Sequence, residues 1–67
     1  MESSAAGLKQ QITDARIQRA ELDLLLETLQ QMQGGITKEQ TDLIRQRIEA
    51  CDQRIEYLQA QLKVLQP

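Results

Sequence analysis

The chain has 67 residues, with eight Lys and Arg against ten Asp and Glu, a net charge of −2, one Cys, one Tyr, one Pro and no His, Phe or Trp. Without His and with a single Cys it holds no Ser/His/Asp or Cys/His couple, no Cys/His zinc site and no intrachain disulfide. The near-balanced charge supplies no large positive field for nucleic acid or an anionic membrane, so the composition points away from an enzyme and from a DNA binder, and no cofactor or metal is expected.

The chain opens Met1-Glu2-Ser3-Ser4-Ala5-Ala6, with an acidic residue where a signal peptide carries positive charge and no apolar stretch long enough for its h-region. The longest apolar run, Leu24-Leu25-Leu26, is far short of the ~18 residues of a membrane span. A cytoplasmic location is therefore expected, and one unpaired Cys suits a reducing compartment. Ser3 or Ser4 is placed to cap a first helix, whose opening turn Gly7 weakens.

Leu, Gln, Glu, Ala and Arg then dominate up to Gln33-Gly34-Gly35-Ile36-Thr37, where two helix breakers stand together. Thr37-Lys38-Glu39-Gln40 fits a capping box, in which the Thr37 hydroxyl accepts from the Gln40 amide and the Gln40 side chain reaches back to Thr37. The pattern predicts one all-α domain over residues 1–67. It is a two-helix antiparallel coiled-coil hairpin with helices at about 4–33 and 38–65 and a turn at Gly34-Gly35.

The seam of that hairpin is legible from spacing. Helix two carries Thr41, Ile44, Ile48, Cys51, Ile55, Leu58, Leu62 and Leu65 at alternating intervals of three and four, and helix one repeats this at Leu8, Ile12, Ala15, Arg19, Leu22, Leu26 and Leu29. A fold-back pairs them at a constant residue-number sum of 70, placing Leu8 opposite Leu62, Arg19 opposite Cys51 and Leu29 opposite Thr41. On one flank Arg16 then faces Asp52 and Asp23 faces Arg45. Cys51 beside Arg19 raises the idea of an activated thiol. The simpler reading is a small core side chain next to an Arg whose stem follows the seam and whose head reaches solvent.

The other flank is not polar enough for a hairpin packed solely on itself. Leu25 and Met32 lie there on helix one, and Leu43, Ala50, Tyr57 and Val64 recur beside it every seven residues on helix two. Ile17, Ala20 and Leu24 add a smaller patch opposite the seam of helix one. Tyr57, the one aromatic residue, is the best anchor candidate. A core of this size rarely supplies more than about 3–5 kcal/mol, so the expectation is a non-enzymatic protein-binding module that leans on another chain. The candidate contact residues are Leu25, Met32, Leu43, Ala50, Tyr57 and Val64, with Ile17 and Leu24 as a second surface. Self-association into a four-helix bundle, as a homodimer or as the dimerisation segment of a larger regulator, is the alternative. A third reading, an RNA-binding hairpin built on Arg45, Arg47 and Arg54, is weakened by the interleaved Asp42, Glu49, Asp52 and Glu56.

From Gly34-Gly35 through Lys38-Glu39-Gln40 to Leu43-Ile44-x-Gln46-x-x-x-Ala50-Cys51-Asp52-x-x-Ile55-x-x-Leu58, the chain resembles the YscE-like small co-chaperones of type III secretion needle subunits. The resemblance covers residues 20–65. It implies a cytoplasmic helper that pairs with a tetratricopeptide-repeat (TPR-type) chaperone as a heterodimer and, through it, keeps a needle subunit soluble before export.

Overall fold

The computed structural model describes residues 4–32 and 34–65, which form two α-helices, α1 (Ser4–Gln31) and α2 (Lys38–Leu65), of 28 residues each. They pack side by side along their whole length as an antiparallel hairpin. Each is about 42 Å long at ~1.5 Å per residue, and the molecule measures 52 × 15 × 15 Å. Its radius of gyration of 15.5 Å exceeds the roughly 11 Å of a compact domain of this length. The shape is a rod, so surface is large relative to core.

The expected start of α2 holds, and α1 ends two residues earlier than the spacing suggested. Gly34 and Gly35 both take positive φ, 94° and 66°, a region that side chains with a Cβ rarely adopt. A Cβ would meet nothing nearby at either glycine, so it is the backbone conformation and not crowding that calls for Gly. The Met32 amide donates to the Leu29 carbonyl at 3.3 Å and the Gly35 amide to the Met32 carbonyl at 2.9 Å, tightening the exit from α1. Gln33 and the Ser3 cap lie outside the described residues. At the entrance to α2 the capping box is complete: the Gln40 amide donates to the Thr37 hydroxyl at 3.1 Å, and the Thr37 amide to Gln40 Oε1 at 3.2 Å.

The core is one stripe of side chains on each helix. Ile12, Ala15, Ile44, Cys51 and Leu58 are buried, and Leu8, Arg19, Leu22, Leu26, Leu29, Thr41, Ile48, Ile55 and Leu62 are half-buried. These are the seam positions predicted from spacing. Leu65 departs from the pattern and remains 49% exposed. Its partner at the constant sum is Ala5, whose methyl group is too short to cover a leucine at the open end of the hairpin. No large side chain among the described residues is completely buried, because two helices alone cannot enclose a volume.

Two stability outcomes follow from this thin core. Thr37→Ala removes the acceptor for the Gln40 amide and should cost about 1 kcal/mol, lowering the thermal midpoint followed by circular dichroism by roughly 4–8 °C; Thr37→Ser should change it little, and equal midpoints for wild type and Thr37→Ala would show that the cap is dispensable. Leu58, 4% exposed, is the best-buried large residue. Leu58→Ala should cost about 2–5 kcal/mol, comparable to all that a core of this size supplies, so the isolated variant should lose most of its helical signal at 25 °C.

Candidate protein-binding surface

The two flanks of the seam differ, and the difference starts at its central layer. Arg19 occupies a core position opposite Cys51, and its stem lies along the seam. Its guanidinium leaves on one side, where Nε donates to Asp52 of α2 and Nη1 to Asp23, one turn ahead on α1. Hydrogen bonding to Asp52, followed by the charges of Asp23 and Asp52, raises its pKa above the ordinary arginine value, so it stays fully charged. On the other side the Cys51 thiol points to Gln18 Oε1 at 3.9 Å, a weak sulfur contact. These two interhelical contacts join residues whose numbers sum to 71 and 69, on either side of the predicted 70.

The expected pairing of Arg16 with Asp52 and of Asp23 with Arg45 is corrected here. Both carboxylates lie on the predicted flank, but Arg19 takes both, and among the described residues Arg16 and Arg45 form no ion pair. The planar head of Arg19 offers several donors at once, so one residue can hold both carboxylates. The activated-thiol idea also loses its basis, since Cys51 is buried and the Arg19 charge is taken up by two carboxylates.

On the opposite flank, Arg47 and Arg54 of α2 are exposed and make no ion pair among the described residues. With Gln18, Leu22, Ala50 and Cys51 they line a shallow open groove beside the central layer. Next to that groove stand the side chains named from the sequence. Leu25, Met32, Leu43, Tyr57 and Val64 are all exposed, Tyr57 at 63% and Val64 at 80%, and Ala50 is exposed between them. The Tyr57 hydroxyl accepts from Gln61 Nε2 at 3.1 Å, one turn along the same helix. Ile17 and Leu24 are exposed as well, at 53% and 65%, on the face of α1 away from the seam. Leu65 is an apolar surface residue that spacing alone assigned to the core; its signal was the small Ala5 opposite.

Among the described residues no three carboxylates or thiols come together in a way that could hold a metal ion, and no helix is long and apolar enough to cross a membrane. What the surface offers is a set of exposed large apolar side chains. The accessible surface is 5434 Å², about 1,100 Å² more than a compact monomer of this mass presents. The chain matches no protein-family model, no curated protein and no solved structure.

Separate double-mutant cycles test the corrected pairing. Arg19→Met with Asp52→Ala should show a clear coupling in thermal stability, while Arg16→Ala with Asp52→Ala should be additive; the reverse ranking would restore the simpler flank pairing.

Proposed function

We propose that this hairpin is a non-enzymatic protein-binding module that completes its core against helices of another protein. The observation that carries the reading is the line of exposed side chains Leu25, Met32, Leu43, Tyr57 and Val64 down one side of a rod with a one-layer core. Single exposed apolar residues are ordinary, but a row of them at helical spacing in so small a chain marks an interaction surface. Burial of that surface would add the apolar contact that the two helices cannot give each other.

The resemblance to needle-subunit co-chaperones makes a TPR-type chaperone the favoured partner. Such a repeat protein presents a concave helical surface, and a straight rod 52 Å long with apolar residues down one side matches that kind of receptor. In this reading the hairpin works in the cytoplasm as the small subunit of a heterodimer, and the needle subunit is held through the larger one. Catalysis, cofactor and metal have no part in it.

Co-expression with a TPR-type chaperone and its needle subunit should yield a stable complex by size-exclusion chromatography. Leu25→Glu, Leu43→Glu and Tyr57→Glu should each remove the hairpin from that complex while leaving its circular dichroism spectrum unchanged, because these positions lie off the seam. A complex that survives all three changes would place the interface elsewhere.

A further inference from the structure

The outward face of α2 carries a second seam. Leu43, Ala50, Tyr57 and Val64 alternate with Gln46, Gln53 and Ala60 at intervals of three and four, on the side of the helix away from α1, and all seven are exposed. None of these seven is charged; Glu39 continues the column into the first turn of α2, and Lys63 ends the edge that Asp42, Glu49 and Glu56 form. Asp42, Glu49 and Glu56 run along one edge of this column, and Arg47 and Arg54 along the other. All five are exposed, and none forms an ion pair among the described residues. An uncharged 3-4 column with an acidic and a basic edge is the layout of one strand of a coiled coil.

From this charge pattern we infer that a second copy of the chain covers the outer face of α2, packed parallel and in register through Leu43, Ala50, Tyr57 and Val64. In a parallel pair, the residue just before one seam position lies beside the residue just after the next seam position of the other strand. Asp42 then meets Arg47 of the second copy, and Glu49 meets Arg54 of the second copy. Two-fold symmetry repeats both contacts, so four opposite-charge pairs form. Antiparallel packing at full overlap sets Arg47 against Arg54, Glu49 against Glu56 and Asp42 against Lys63, each twice, so four like-charge contacts stand against two favourable ones. The charges therefore select both a second copy as occupant and the parallel orientation, with the two turns at the same end. Helices then lie in the order α1, α2, α2 and α1, which leaves Leu25, Met32, Ile17 and Leu24 of each chain uncovered.

This inference rests on the reading of the apolar strip as a binding surface; because Leu43 and Tyr57 belong to both interfaces, the second copy and another protein compete for them, and the inference is tested on the isolated chain. Light scattering should show a mass rising from one chain to two between roughly 1 and 200 µM. The double variants Asp42→Lys/Glu49→Lys and Arg47→Glu/Arg54→Glu should each weaken self-association by at least about tenfold, with helicity unchanged, and an equimolar mixture of the two should dimerise again. Ala60→Cys should cross-link to its own copy on mild oxidation while the native chain, whose Cys51 is buried, does not; in the antiparallel alternative the two copies of residue 60 are about 25 Å apart at ~1.5 Å per residue. Leu25→Glu should leave self-association untouched, which separates this dimer from binding of another protein. A chain monomeric throughout the range, or charge variants that associate as well as the native one, would overturn the proposal, and dimerisation without the cross-link would overturn the parallel orientation.

Discussion

Everything in this molecule depends on a single seam between two helices. A seam of alternating three- and four-residue spacing buries one stripe per helix and leaves more than half of each helix to solvent. The best-covered positions, such as Ile12 and Leu58, still keep a few per cent of their surface. Stability is correspondingly modest, and the turn has to be well specified for the seam to close in one register. Two left-handed glycines and a reciprocal Thr37–Gln40 cap provide that specification within a few residues.

The polar layer at Arg19 and Cys51 gives the seam its asymmetry. An arginine in the core stripe must send its head to one side, and it goes where Asp23 and Asp52 stand. On that side Arg19 takes both carboxylates, and Arg16 and Arg45 form no ion pair among the described residues. The other side receives the weak Cys51–Gln18 contact and a shallow groove lined by Arg47 and Arg54. A polar layer of this kind costs stability and in return disfavours other registers, since a shift of one heptad would set Arg19 against Ile44 or Leu58.

The same asymmetry gives the rod two kinds of surface. Charge and apolar area coincide on the flank of Arg47 and Arg54 and on the adjoining outer face of α2, where the side chains are uncharged between an acidic and a basic edge. Such edges choose orientation and partner more than they add affinity, because exposed pairs contribute only about 0.2–1 kcal/mol each. In the proposed association affinity has to come from Tyr57, Leu43 and their neighbours. Any partner that covers those residues in the folded chain alone would add to its stability by mass action.

The hairpin, its register and its surplus apolar side chains are legible in the sequence, because all three are periodic properties. Spacing by three and four assigns a stripe, a constant number sum aligns two stripes, and an extra heptad column has nowhere to go in a two-helix fold. Leu43, Tyr57 and Val64 could be named in this way, and so could Ile44, Cys51 and Leu58. The sequence did not decide which cation would hold Asp52, or that Leu65 would stay outside the core. Both depend on side chains rooted on different helices: Arg19 Nε reaches Asp52 across the seam, and Ala5 is too short to cover Leu65. Periodicity by itself determined the direction in which each side chain points; how far it reaches, and which neighbour it meets first, was decided when the two helices came together.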